Sequence, residues 1–257
     1  MKIVRNLRVM ILALVLGAGA LLPAVPALCA PLAPALISKA ALSADERSAV
    51  AAFVRDELAG LSGEPDKVKL SRDHLIAPLC GANVSVDFRN AMGEVLLPEV
   101  DRLIKDPRDL VAVNALRIAG ELATSTSVNM VVSALGDARV SVRTAACGAL
   151  ARAFEHTART SPAINPDNAF TAVRALGGVI EKNTDPILLD AAILALSSAM
   201  RVPAAQMKDV QNAAAAQLAT SASQRAQSVG TPEVDGPSVL AVLARAAGRL
   251  RDVTVSA

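Results

Sequence analysis

Residues 135–153 read LGDARVSVRTAACGALARA, and the spacing inside this stretch decides the fold. Counted from Asp137, small or apolar residues recur at plus 5, 9, 12 and 16, which are Val142, Ala146, Ala149 and Ala153. Steps of three and four residues keep side chains on one face of a helix. The same register follows Asp106, 31 residues earlier, with Val111, Ala115, Ile118 and Leu122. A further shift of 47 residues gives Leu189, Ile193, Leu196 and Met200, the extra length leaving room for an inserted loop around residues 157–166. A fourth, degenerate unit is expected from Val210 to Arg251, split by a polar loop over residues 221–237.

Each unit reads as a helix, a tight turn marked by Gly, Asp or Asn, and a second helix. Neither helix can bury its stripe alone, so neighbouring units must stack and share a core. The run from Asp137 to Leu150, DARVSVRTAACGAL, resembles the second half of a HEAT repeat, in which a turn Asp is followed by Val-Arg, small residues and Leu. The first unit, DPRDLVAVNALRIAGEL, is similar but has Ala112 where that family has Arg, and the third has Thr184 and Asp190 at the Asp and Arg positions. The resemblance, carried over residues 95–200, implies an all-α protein: a short right-handed α-solenoid of HEAT-like helical hairpins. It also implies that turn Asp and helix Arg form a hydrogen-bonded ladder between repeats, which makes Asp106, Asp137 and Arg143 structural, with Asp137 capping its helix.

In such solenoids the second helices line a concave face. At plus 4, 8, 11 and 15 the first unit would present Leu110, Asn114, Arg117 and Glu121. The second would present Ser141, Ala145, Gly148 and Arg152, and the third Leu188, Ala192, Ala195 and Ala199. Leu110, Asn114, Arg117, Glu121 and Arg152 are thus the candidate partner contacts, with Arg117 and Glu121 paired four apart along one helix. A smooth, small-residue trough suits a protein or peptide docking by shape. The competing reading is that these alanines are helix formers packed against another part of the chain.

Ahead of the repeats, Ser43-Ala44-Asp45-Glu46 has the form of a capping box, and Val50, Phe53, Val54, Leu58 and Leu61 continue an amphipathic helix ending near Gly60. A short helix over residues 72–79 and another from Val86 follow, with Pro98 kinking the latter or opening the next. Residues 43–97 are therefore expected to be an N-terminal helical cap, residues 98–200 the repeats, and residues 201–257 a degenerate repeat and tail.

The first 29 residues read as an export signal. Lys2, Arg5 and Arg8 precede an apolar run of 14 residues, Val9 to Leu22, too short to span a bilayer and followed by Pro23 and Pro26. Residues 30–42 form a linker. Cys29 offers an alternative, a lipidated N-terminus, against which Leu28 is large for a position that lipoproteins fill with a small residue. The expected location is periplasmic or extracellular, without membrane insertion after cleavage.

Without residues 1–29 the chain has 23 Lys and Arg against 24 Asp and Glu, a balance with no electrostatic case for nucleic acid. No Trp or Tyr and only 4 Phe are present, which argues against base-stacking or sugar-binding platforms. Cys80 and Cys147 could form one disulfide in an oxidising compartment or pack as small apolar side chains. His74 and His156 lie in or beside predicted loops outside any metal-ligand spacing; a site shared by His74, Cys80 and Asp87 is the only metal arrangement to consider, and none is expected. No nucleophile elbow, P-loop or dinucleotide fingerprint occurs, so no catalysis and no cofactor are expected. The sequence thus points to a non-catalytic, exported binding or assembly scaffold. The alternatives are a HEAT-like enzyme accessory or lyase handling a small ligand, and a membrane-tethered envelope component.

Overall fold

Prolines open five of the helices described below, and side-chain caps open three more. In the computed structural model, residues 32–81, 83–159, 163–202, 205–228 and 232–255 are described. Among them are eleven α-helices and no strand. They are α1 (Pro34–Ile37), α2 (Ala44–Leu58), α3 (Pro65–Ile76), α4 (Val86–Ile104), α5 (Asp109–Leu122) and α6 (Ser125–Ala134). After them come α7 (Val140–Arg159), α8 (Pro166–Lys182), α9 (Pro186–Ala199), α10 (Lys208–Ser228) and α11 (Pro232–Val255). Pro34, Pro65, Pro166, Pro186 and Pro232 each stand at the first helical position, where a missing N–H costs nothing.

The capping box at α2 forms: the Glu46 N–H donates to Ser43 Oγ at 3.3 Å, and the Ser43 N–H to Glu46 Oε2 at 2.7 Å. Asn165 and Asp185 cap α8 and α9 by side-chain oxygens alone, without the reciprocal bond. Several boundaries differ from expectation. Because Pro65 starts α3, that helix begins seven residues before the expected 72, and a 3₁₀ turn covers Ala77–Leu79. Pro98 does not open a new helix; α4 runs through it, so the division at residues 97 and 98 falls inside a helix. The polar loop expected over residues 221–237 is mostly helical, since α10 reaches Ser228 and α11 starts at Pro232. The lead-in to α2 is docked rather than free: Ser85 N–H donates to the Ile37 carbonyl at 2.9 Å, and the Leu42 N–H to Asp87 at 2.7 Å. The expected signal segment, residues 1–29 with Cys29, lies outside the described residues.

The helices pack in two series. One is α3, α5, α7, α9 and α11, each against the next; the other is α2, α4, α6, α8 and α10. Sequence neighbours α2 and α3, α4 and α5, α6 and α7, α8 and α9, and α10 and α11 join the series pairwise. All twelve residues of the repeating stripe, from Val111 to Met200, are buried between them. Covering one such aliphatic side chain is worth about 1.5–3 kcal/mol, so the shared stripe is what holds the units together.

The turns between the series carry a second repeat, an Asp followed two residues later by Arg. Arg108 grips Asp106 with Nε and Nη2, both at 2.9 Å, and its Nη1 donates to the Ser62 carbonyl of the preceding turn at 3.1 Å. Arg139 grips Asp137 at 3.0 and 2.9 Å and reaches back to the carbonyls of Asp106 at 2.7 Å and Ile104 at 3.1 Å. The Arg108 side chain and N–H hold the Asp106 carboxyl down to about 2. This corrects the ladder expected from the family. Arg143 touches no turn carboxylate; it donates to the main-chain oxygens of Asp137 and Ala138 and to Asn183 Oδ1. Asp137 accepts from the Arg139 N–H at 2.8 Å, just ahead of α7, rather than capping the helix itself. At the third turn Asp185 caps α9, and Ile187 stands where Arg would be.

Candidate functional site

Helices α5, α7 and α9 each have neighbours on three sides, and one stripe of each remains open. On α7 the open stripe is the expected one, with Ser141, Ala145, Gly148 and Arg152 all reached by solvent. On α5 only Leu110 and Arg117 of the expected contacts are exposed, while Asn114 and Glu121 are buried. On α9 the expected Leu188, Ala192, Ala195 and Ala199 are fully buried, and Ile187 and Leu194 are exposed instead. The core stripe keeps one register on all three helices, so the difference lies in what covers the flanking positions: Arg72 of α3 reaches Asn114, and Arg152 and His156 of α7 reach Glu121. For α9 the reading of the alanines as internal packing is the correct one.

Between the three helices runs a trough of about 570 Å³. Val113 and Arg117 of α5 form one wall and Leu194 of α9 the other. The floor is α7, lowered by Ala145, Gly148 and Ala149, with Arg152 and Glu155 at its C-terminal end. A Cβ built on Gly148 would meet nothing beyond the local backbone of α7 within 4 Å, so the helix is open at that point. Gly120, on α5, is different in kind: its Cβ would lie 2.7 Å from the Ala149 carbonyl oxygen, and its absence lets α5 and α7 approach closely.

Beneath the trough is a buried ionic cluster. Glu121 accepts from Arg152 Nε at 2.9 Å and from His156 Nε2, so the expected Arg117–Glu121 pair does not form. Burial raises the Glu121 carboxyl, but the hydrogen bonds from His156 and Arg152 outweigh it and hold the group near 2. Arg89, from α4, is 1 % exposed and donates to the carbonyls of Glu121 at 2.6 Å, Leu122 at 3.1 Å and Leu79 at 3.3 Å. Two of these are the last carbonyls of α5, the negative end of its dipole. Burial lowers Arg89 to about 10, which leaves it charged at neutral pH. Arg89 Nη2 stands 3.4 Å from His156 Nδ1, which brings the two side chains together beneath the trough. Arg89 and His156 were not foreseen as partners. A signal was present, because Glu121 and Arg152 stand 31 residues apart, the repeat spacing, and must therefore be neighbours.

The cysteines are not joined: Cys147 is buried in α7, its thiol pushed up to about 12 by burial, and Cys80 is exposed after α3. His74 bonds to Glu57 and Asp87 to Arg47 and the Leu42 N–H, so two of the three side chains considered for a metal are engaged with different partners. Among the described residues no group of three His, Cys, Asp or Glu is placed to hold a metal ion, and no helix is long and apolar enough to cross a membrane. Compared with protein-family models and with curated proteins, the chain matches none of them.

Proposed function

We propose that this chain is an exported, non-catalytic scaffold that holds a protein partner on the open face of α5, α7 and α9. In this reading the two helix series form a short right-handed HEAT-like α-solenoid, α3 to α11 being its concave row. Helices α2 and α3 then shield the apolar edge that a first repeat would otherwise expose. One observation carries the proposal. Among the described residues the exposed large hydrophobics are Leu70, Leu110, Val140, Ile187, Leu194 and Leu240, and all six stand on the α3 to α11 series. Exposed apolar side chains confined to one of the two helix series support an interaction surface on that series. The ionisable groups beneath the trough are engaged with one another, which supports an architectural role for them.

The volume of the trough gives a second reading some support, since about 300–1,000 Å³ is also the size of small-ligand pockets. The test is affinity capture of the tagged full chain from its native host, with Leu194→Asp on the face and Ser133→Arg on the other series as control. The proposal expects a protein retained by the wild type and the control and lost by Leu194→Asp. Capture indifferent to the face variant would refute it, and a small molecule displaced by that variant would favour the second reading. Fractionation with mass spectrometry of the N-terminus tests export.

A further inference from the structure

We infer that the occupant of the trough is an acidic amphipathic helix of the partner, lying along α7 and crossing it at Gly148. The inference rests on the scaffold reading and specifies the chemistry that the trough selects. Three observations carry it. The first is dimension. Two interaxial steps of about 8–10 Å separate the axes of α5 and α9, and a helix about 10–12 Å across can be laid over α7 between those axes. It lies there only if the helix beneath presents small residues, as α7 does with Ala145, Gly148 and Ala149.

The second is Gly148 itself. A glycine within a helix costs stability relative to alanine, and Gly120 has an internal reason for it, the Ala149 backbone at under 3 Å. At Gly148 nothing beyond the local backbone of α7 lies within 4 Å of the missing Cβ. What the missing side chain permits is close approach from outside.

The third is charge. Arg152 is already held by Glu121 at 2.9 Å and Glu155 at 2.8 Å. Arg117, exposed on the opposite wall, pairs with no carboxylate among the described residues. An acidic side chain on the incoming helix would complete that pair, while its apolar residues covered Val113 and Leu194. A basic helix would set its charge against Arg117.

The experiment is selection from a display library containing helical, extended and proline-rich peptides on the immobilised full chain. Winners are then titrated against wild type, Gly148→Leu and Arg117→Glu. Gly148→Leu fills the floor while improving helix propensity, and circular dichroism checks that both variants are folded. The expected winners are amphipathic helices with an acidic residue. Their affinity should fall about tenfold in Arg117→Glu, be partly restored when the acidic residue becomes Lys, and be lost in Gly148→Leu. Extended or basic winners that still require an open trough would overturn the inference and leave the scaffold reading standing. No winner, or winners indifferent to Gly148→Leu, would overturn both.

Discussion

Replacing Gly120 by Ala and, separately, Gly148 by Ala makes the same chemical change on adjacent helices and should move stability in opposite directions. At Gly120 the new Cβ would stand 2.7 Å from the Ala149 oxygen, 2.8 Å from its Cα and 3.0 Å from its Cβ. Two of these are main-chain atoms, which no rotamer can move. The α5 and α7 axes would have to part by about 0.8 Å to restore ordinary contact near about 3.5 Å. Overpacking of this kind costs about 1–3 kcal/mol, and a clash with backbone belongs at the upper end. Helix propensity returns up to about 1 kcal/mol, leaving a net loss of about 2 kcal/mol. At Gly148 the same methyl group meets nothing within 4 Å beyond the local backbone of α7, so only the propensity gain of about 1 kcal/mol remains. In a domain of this size each kcal/mol is about 2–4 °C, so Gly120→Ala should melt about 4–8 °C lower and Gly148→Ala about 2–4 °C higher. Thermal and urea melts followed by far-UV circular dichroism read both. If the two variants shift in the same direction, the close contact of α5 with α7 and the open floor of the trough are both wrongly described.

Three further outcomes follow from the turns and the buried cluster. Asp137→Ala, which frees the Arg139 side chain and N–H, should cost about 1 kcal/mol. Adding Arg139→Ala should cost less than the sum of the two single changes; strict additivity in a double-mutant cycle would argue against the turn ladder. Ala123 ends α5 with φ at 48°, a left-handed conformation that disfavours a Cβ, so Ala123→Gly should stabilise by about 0.5–1 kcal/mol in a urea titration. Glu121 is held near 2 against an ordinary 4.5, so its contribution is complete above about pH 5 and is lost as pH falls through 4.5 towards 2. The loss reaches about 3 kcal/mol, Asp106 adds to it in the same direction, and Glu121→Gln should flatten the acid limb. Parallel acid melts of wild type and Glu121→Gln would exclude this.

What the sequence makes legible is periodicity. The stripe from Val111 to Met200 predicts burial at twelve positions, and all twelve are buried, because a 3.6-residue period leaves little choice once helices stack. The capping box at Ser43 is local chemistry and forms as read. Less legible is coverage: Asn114 and Glu121 are buried although Ala145 and Arg152, at the same places in the next repeat, face the trough. The core stripe keeps its register in all three helices, so what differs is which neighbours lie over the flanking positions, and no single repeat shows that. The turn ladder is missed for a related reason. The family pattern directs attention to Arg143, while Arg108 and Arg139, which stand two residues after each Asp, make the contacts between turns. Arg89 and His156 come together only through packing of α4 against α5 and of α5 against α7, a contact that no local pattern announces.

The central claim, that the open face of α5, α7 and α9 receives a partner, is tested most directly by photocrosslinking in the native host. A photoreactive apolar amino acid is placed at Leu194, on the wall of the trough, in one strain and at Ser133, on the other helix series, in a second. The account predicts one discrete crosslinked protein from position 194 and none from position 133. Crosslinks of equal yield from both positions, or a product from 133 alone, would contradict it.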